Sequence, residues 1–215
     1  MPLVAFDFDG TLSDSEMTVL LGERCGVADE MDTITERAMN DEIDYATSLR
    51  ERAALLDGLD VSEAQAAFDR VELRPGAADV IDELDAAGVT TAILTGGFER
   101  GVEAALDRAG VAVDHVVANR LPRADGTLTG EVEGPLVSGT KDDALESLTD
   151  TVSISLSATV AVGDGANDLP MLTVADLAIG FDPKPAVDPA CDRTVATMTD
   201  LRRALADEGV LPAAN

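Results

Sequence analysis

The sequence predicts a doubly wound, Rossmann-like α/β fold, a parallel sheet with helices on both faces, and three observations predict it. Short, nearly continuous apolar runs recur along the chain. Each ends in small or acidic residues, and amphipathic stretches fill the intervals, two of them closed by Gly88 and Gly110. Strand followed by helix, repeated, argues for a sheet whose ligand site lies at the carboxyl ends of its strands.

Residues 3–6 form the first apolar run, which leads straight into Asp7-Phe8-Asp9-Gly10. The alternation then breaks. Helical patterns over 17–24, 31–39, 45–56 and 62–71, with no convincing strand among them, predict a helical cap. The expected division is a core of residues 1–12 and 74–215 with a cap of 13–73 inserted after the first strand. Next come a helix over 77–87, a strand over 89–94 ending at Thr95-Gly96-Gly97, and a helix over 99–109. Between Val116 and Val132 two β-prone runs flank Asp125-Gly126, a pair suited to a tight hairpin turn, which predicts a small β-hairpin flap. A helix over 142–148, strands over 159–162 and 177–179, and a helix over 201–206 complete the pattern, and Asp182-Pro183-Lys184-Pro185 is a loop signal.

With 215 residues, 46% of them hydrophobic, the chain buries one substantial core with enough left over for an insertion. Its 42 acidic residues against 15 Lys and Arg give a net charge of −27, which disfavours nucleic acid and anionic membranes as partners. Such a surface repels itself at about 0.1 M salt, where the Debye length is ~10 Å, and is screened near 1 M, where it is ~3 Å. Apart from Lys141 and Lys184 the basic residues, His115 aside, are all arginine. A halophilic protein of a salty cytosol is expected. Cys25 and Cys191 form no CxxC and no Cys/His ligand spacing with the lone His115, so neither a disulfide framework nor a zinc site is expected. No basic leader precedes the first strand and no apolar run reaches the ~18 residues of a membrane helix, so the expected location is cytoplasmic.

The chemistry concentrates at the predicted strand ends. Asp7 and Asp9, two residues apart and each beside a Phe, would be costly in an apolar run unless they serve a ligand. Gly163-Asp164-Gly165-Ala166-Asn167-Asp168 brings two more carboxylates and an amide to the same edge. Oxygen donors in this number suit magnesium, a hard cation that commonly bridges protein and phosphate. Thr95-Gly96-Gly97 offers a hydroxyl and open backbone to a phosphate oxygen, and Lys141 a point charge.

In the order Asp7-Phe8-Asp9-Gly10-Thr11, Thr95-Gly96-Gly97, Lys141 and Gly163 to Asp168, these motifs resemble those of haloacid dehalogenase (HAD) superfamily phosphatases, and more narrowly of the phosphoserine phosphatase family. The resemblance spans essentially the whole chain. It implies hydrolysis of O-phosphoserine to serine and phosphate, the last step of serine biosynthesis, with Asp7 as nucleophile and Asp9 as general acid and base. It implies Mg2+ held by Asp7, the main-chain carbonyl of Asp9 and Asp164, with Asp168 in support. Thr11, Thr95, Gly96, Gly97, Lys141 and Asn167 would hold the phosphate. Glu16 and Arg52 match the family positions that read the ammonium and carboxylate of the substrate. Met39 and Tyr45 match apolar positions facing the ligand, although plain packing within the cap accounts for them equally. Two departures stand out: Gly10 and Thr95 both replace a usual Ser, and only the second keeps the hydroxyl.

Another metabolite phosphatase, acting on phosphohomoserine, phosphoglycolate or a sugar phosphate, remains open on this scaffold. A signalling receiver domain also uses a strand-end Asp, magnesium, a hydroxyl residue and a lysine. Against it stand the helical insertion and Asp9, whose acid–base task a switch does not need.

Overall fold

The computed structural model describes residues 2–40 and 42–213, with the side chain of Met39 outside that description. Six parallel strands form the main sheet: β1 (Leu3–Phe6), β2 (Thr90–Phe98), β3 (His115–Asn119), β6 (Thr159–Gly163), β7 (Leu177–Phe181) and β8 (Arg193–Val195). A two-stranded hairpin, β4 (Arg123–Ala124) and β5 (Thr127–Leu128), lies outside it. The sheet order is β3-β2-β1-β6-β7-β8, so chain direction across the sheet reverses at β1. That reversal opens a crevice at the carboxyl end of β1, the position where open α/β sheets take their ligands.

The central strands are buried on both faces. Val4, Phe6, Ile93, Val160, Val162 and Ile179 belong to one core, shared with helices α5 (Ala77–Ala86), α6 (Glu99–Ala109) and α9 (Met198–Asp207). Their neighbours Leu3, Ala5, Ala92, Leu94, Ala161 and Ala178 face the other side, against α7 (Lys141–Val152) and α8 (Leu169–Val174). Period-two alternation thus separates two apolar faces rather than an apolar from a polar one.

Between β1 and α5 lie four helices: α1 (Met17–Cys25), α2 (Ala28–Met39), α3 (Tyr45–Ala54) and α4 (Val61–Phe68). Met17, Leu21, Met31, Leu49 and Phe68 extend the first core into this helical region. The two chain crossings run side by side. Ser13 bridges Leu73, its hydroxyl donates to the Glu72 carbonyl at 2.7 Å, and the Arg74 N–H reaches the Leu12 carbonyl at 2.8 Å.

Several features differ from the sequence expectation. The first β-prone run before Asp125-Gly126 joins the main sheet as edge strand β3, since the half-buried Val116 and Val117 find their ladder on β2. The hairpin proper has two residues per strand, and Asp125 at φ 52 and Gly126 at φ 89 give the positive pair that a tight turn needs. Strand β8 was not expected, because Arg193-Thr194-Val195 is short and largely exposed. The hairpin also docks outward onto the helical insertion: Gly58 and Val61 N–H groups donate to Leu128 and Gly126 carbonyls at 3.0 and 2.9 Å, and the Leu128 N–H returns to Leu59 at 2.8 Å.

Candidate active site

Asp7 follows β1 directly, and its backbone N–H donates to the Val162 carbonyl of β6 at 2.8 Å, so its position is set by the two central strands. Its side chain is buried and paired with the Lys141 ammonium. Lys141 is the first residue of α7, where a cation opposes the helix dipole. Thr140 caps this helix, and Asp143 closes a capping box, so the lysine's place is fixed by local backbone. A locally unfavourable charge retained at a helix start marks a functional conflict. The same ammonium meets Asp168 Oδ1 at 2.5 Å.

Asp168 is fully buried and its other oxygen accepts the N–H groups of Asp164 and Gly165, each at 2.9 Å. It therefore organises the loop that presents Asp164. One carboxylate oxygen each from Asp7, Asp164 and Asp168 lie within 4.8 Å of one another. Two of these acids, Asp7 and Asp168, share the buried Lys141 ammonium, while Asp164 stands beside them. Burial, and next the Asp168 charge, push the Asp7 carboxyl up to about 7, although Lys141 opposes them. On Lys141 burial works downward, but Asp168 and Asp7 outweigh it and hold the ammonium charged well above its usual range. A divalent cation with hard oxygen preference fits this donor set.

Asp9 is held above the usual carboxylate range by burial and then by the charges of Glu16 and Asp7. Its Oδ1 is buried with no hydrogen-bond partner among the described residues. Such surroundings favour its protonated form, compared with an exposed carboxyl. Gly10 has φ +92, and a β-carbon there would lie 2.5 Å from Asp164 Oδ1, so the residue without a side chain suits this conformation beside the acid.

Thr95, Gly96 and Gly97 lie on β2 where its pairing with β3 shifts register between Leu94 and Phe98. The Thr95 hydroxyl accepts the Gly97 N–H at 2.9 Å. Asn167 is exposed, two residues beyond Gly165. Thr11 is fully buried and its hydroxyl has no hydrogen-bond partner among the described residues. Glu16 precedes α1, and its acid is raised by burial, with Lys184 and Arg52 pulling against Asp164. Arg52, in the last turn of α3, donates to the Thr18 hydroxyl at 3.2 Å and the Ser48 carbonyl at 3.4 Å. The hydroxyl of Tyr45, at the start of α3, reaches Gly96. Met39 ends α2, and its side chain lies outside the described residues.

Sequence reasoning missed two neighbours of the site. Lys184 stands 3.4 Å from Asp164 Oδ2, and its backbone N–H binds the Asp164 carbonyl at 2.9 Å. Its rarity, as one of two lysines, was the available signal. Arg74 donates to the Gly10 carbonyl at 3.0 Å and lies 5.3 Å from the Phe181 ring centroid. Only its place before Pro75-Gly76, at the return into the core, pointed to it.

The model of the haloacid dehalogenase-like hydrolase family matches residues 4–173. The chain is 58% identical over 210 residues to a phosphoserine phosphatase of Halobacterium salinarum, covering 98% of this chain and all of that one. It is 37% identical over 204 residues to the phosphoserine phosphatase of Methanocaldococcus jannaschii, covering 94% and 95% of the two chains. Among solved structures, a phospho-aspartyl intermediate analogue of phosphoserine phosphatase superposes with a TM-score of 0.85 at 37% identity, covering 95% of this chain and 97% of that chain. A substrate-bound phosphoserine phosphatase complex superposes with a TM-score of 0.85 at 36% identity, covering 95% and 96%.

Proposed function

The chain belongs to the haloacid dehalogenase-like hydrolases, and from that membership and its near relatives we infer that it is a phosphoserine phosphatase. The observation that carries the chemistry is the cluster of Asp7, Asp164 and Asp168 at the sheet's topological switch point, with Asp7 and Asp168 buried on the Lys141 ammonium.

Asp7 attacks the phosphorus of O-phosphoserine and forms an aspartyl-phosphate. Asp9 gives its proton to the leaving serine oxygen and then takes one from the water that hydrolyses the intermediate. Its pKa, raised by burial, and its Oδ1, without a partner among the described residues, support that role. Lys141 neutralises charge on the transferred group, while Thr95 and the amides at Gly96 and Gly97 bind its oxygens. Asp7, the Asp9 carbonyl and Asp164 would hold Mg2+, with Asp168 fixing the Asp164 loop. Bound there, the cation supplies electrostatic relief for an anionic nucleophile meeting an anionic ester.

Residues 13–73 form the cap, and substrate choice resides in it. Glu16 takes the ammonium and Arg52 the carboxylate, for which a guanidinium fork is suited. Their shared electrostatic environment with Asp164 supports this reading. No described helix is long and apolar enough to cross a membrane, and we place the enzyme in the cytoplasm.

The test is phosphate release from a panel of L-phosphoserine, phosphohomoserine and sugar phosphates, in Mg2+ and molar KCl. Asp7→Asn should lower release by roughly a thousandfold or more. Arg52→Ala should lower kcat/KM for phosphoserine by roughly tenfold or more while sparing sugar phosphates. Release from sugars alone would overturn the substrate, and no release at all would overturn the enzyme.

A further inference from the structure

Tyr45 is the only tyrosine in a chain that has no tryptophan. It opens α3 directly after Asp44, whose carboxylate accepts the Thr47 N–H at 2.7 Å, so a capped helix start sets its direction. The residue is 41% exposed, alone in this among the large apolar residues described, yet its hydroxyl lies beside Gly96. A β-carbon on Gly96 would lie 1.9 Å from that oxygen, so the phenol occupies the space that glycine leaves open in the Thr95-Gly96-Gly97 segment of β2.

The charges acting on the phenol are Lys141, Arg52, Asp7 and Asp9, which are the cations and acids of the site itself. Packing against a substrate requires only the ring. An O–H held beside Gly96, at the strand end read as the phosphate site, has a further use, because hydrogen bonds to charged oxygens are stronger than neutral ones.

Resting on the phosphatase reading, we propose that the Tyr45 hydroxyl is a donor, carried by the cap, that binds a phosphate oxygen of the substrate above Gly96. The cap then recognises the phosphate as well as the amino-acid part, and closure over the site is tied to occupancy of the phosphate position. Because this contact addresses a group common to all phosphate monoesters, its loss acts alike on every substrate, unlike the loss of Arg52.

Tyr45→Phe removes one oxygen and keeps the ring and the helix start. With Mg2+ and molar KCl, kcat/KM should fall about tenfold or more on both L-phosphoserine and p-nitrophenyl phosphate. The calorimetric Kd for inorganic phosphate should rise by a similar factor. In the unsubstituted protein, tyrosine emission comes from this residue alone, and it should change saturably as phosphate is added, with the same Kd. Activity and phosphate binding within twofold of the parent would overturn the proposal. So would a loss confined to phosphoserine, which would assign the hydroxyl to the amino-acid part. If the parent protein hydrolyses neither ester, the phosphatase reading fails, and phosphate calorimetry on the two proteins still decides the Tyr45 assignment.

Discussion

Asp7 carries a proton in the folded, metal-free protein over a range where the unfolded chain has lost it. An unfolded Asp titrates near 3.9, whereas burial and Asp168 push the folded group to about 7. Between those values the native state binds more protons, so its stability falls as pH rises through the window and levels off above it. In chelator-treated protein the unfolding midpoint should therefore drop between pH 5 and pH 8 by more in the parent than in Asp7→Asn, measured by circular dichroism. Equal slopes would remove the raised Asp7 from the account. Divalent cation affinity should climb over the same interval, since binding displaces the proton. Asp7 and Asp9 were legible in the sequence because a carboxylate beside Phe at a strand end is costly without a task, and Asp164 and Asp168 because they follow another apolar run in a Gly-rich motif. Lys184 and Arg74 were not, because a lysine in a Pro-rich loop and an arginine before Pro75-Gly76 acquire meaning only when the loops meet Asp164 and Gly10.

Among the elements, the hairpin offers the sharpest test. Leu128 is buried and its backbone pairs with Gly58 and Leu59, so β5 acts as a strap across the connection between α3 and α4. Leu128→Ala should cost about 2–5 kcal/mol in urea unfolding, and limited proteolysis should then cut near the Asp125-Gly126 turn. An unchanged midpoint would show the strap to be ornamental. Helix α6 matched its sequence pattern in both bounds, because its apolar stripe and closing Gly110 are local signals. Strand β2 ran on through Thr95-Gly96-Gly97 to Phe98, past the point where glycines suggest a stop. Its continuation is fixed by non-local contact: the β3 ladder resumes at Asn119, whose amide donates to the Gly96 carbonyl at 3.0 Å.

Over the whole molecule, alternating apolar runs and amphipathic stretches sufficed to predict the parallel core, since each signal repeats and tolerates boundary errors. What they did not convey was how insertion and core are joined, which depends on contacts between distant segments. Charge is a property of this scale as well. With a net charge of −27, self-repulsion opposes the compact state until salt screens it. Raising KCl from 0.1 to 2 M should lift the unfolding midpoint by roughly 10 °C, about 3 kcal/mol for a chain of this size. A midpoint indifferent to KCl would count against halophilic adaptation.

The hairpin's grip on the insertion has a practical consequence for exchanging specificity between relatives. Residues 58–61 are hydrogen-bonded to residues 126–128, and Arg50 reaches Ser138 at 2.7 Å, so the helical segment does not end where its own stretch of chain ends. A chimera that grafts a foreign cap at residues 13–73 alone would set a new docking surface against an old strap. The transplantable module is discontinuous, and a graft that keeps this seam intact must also carry residues 120–138.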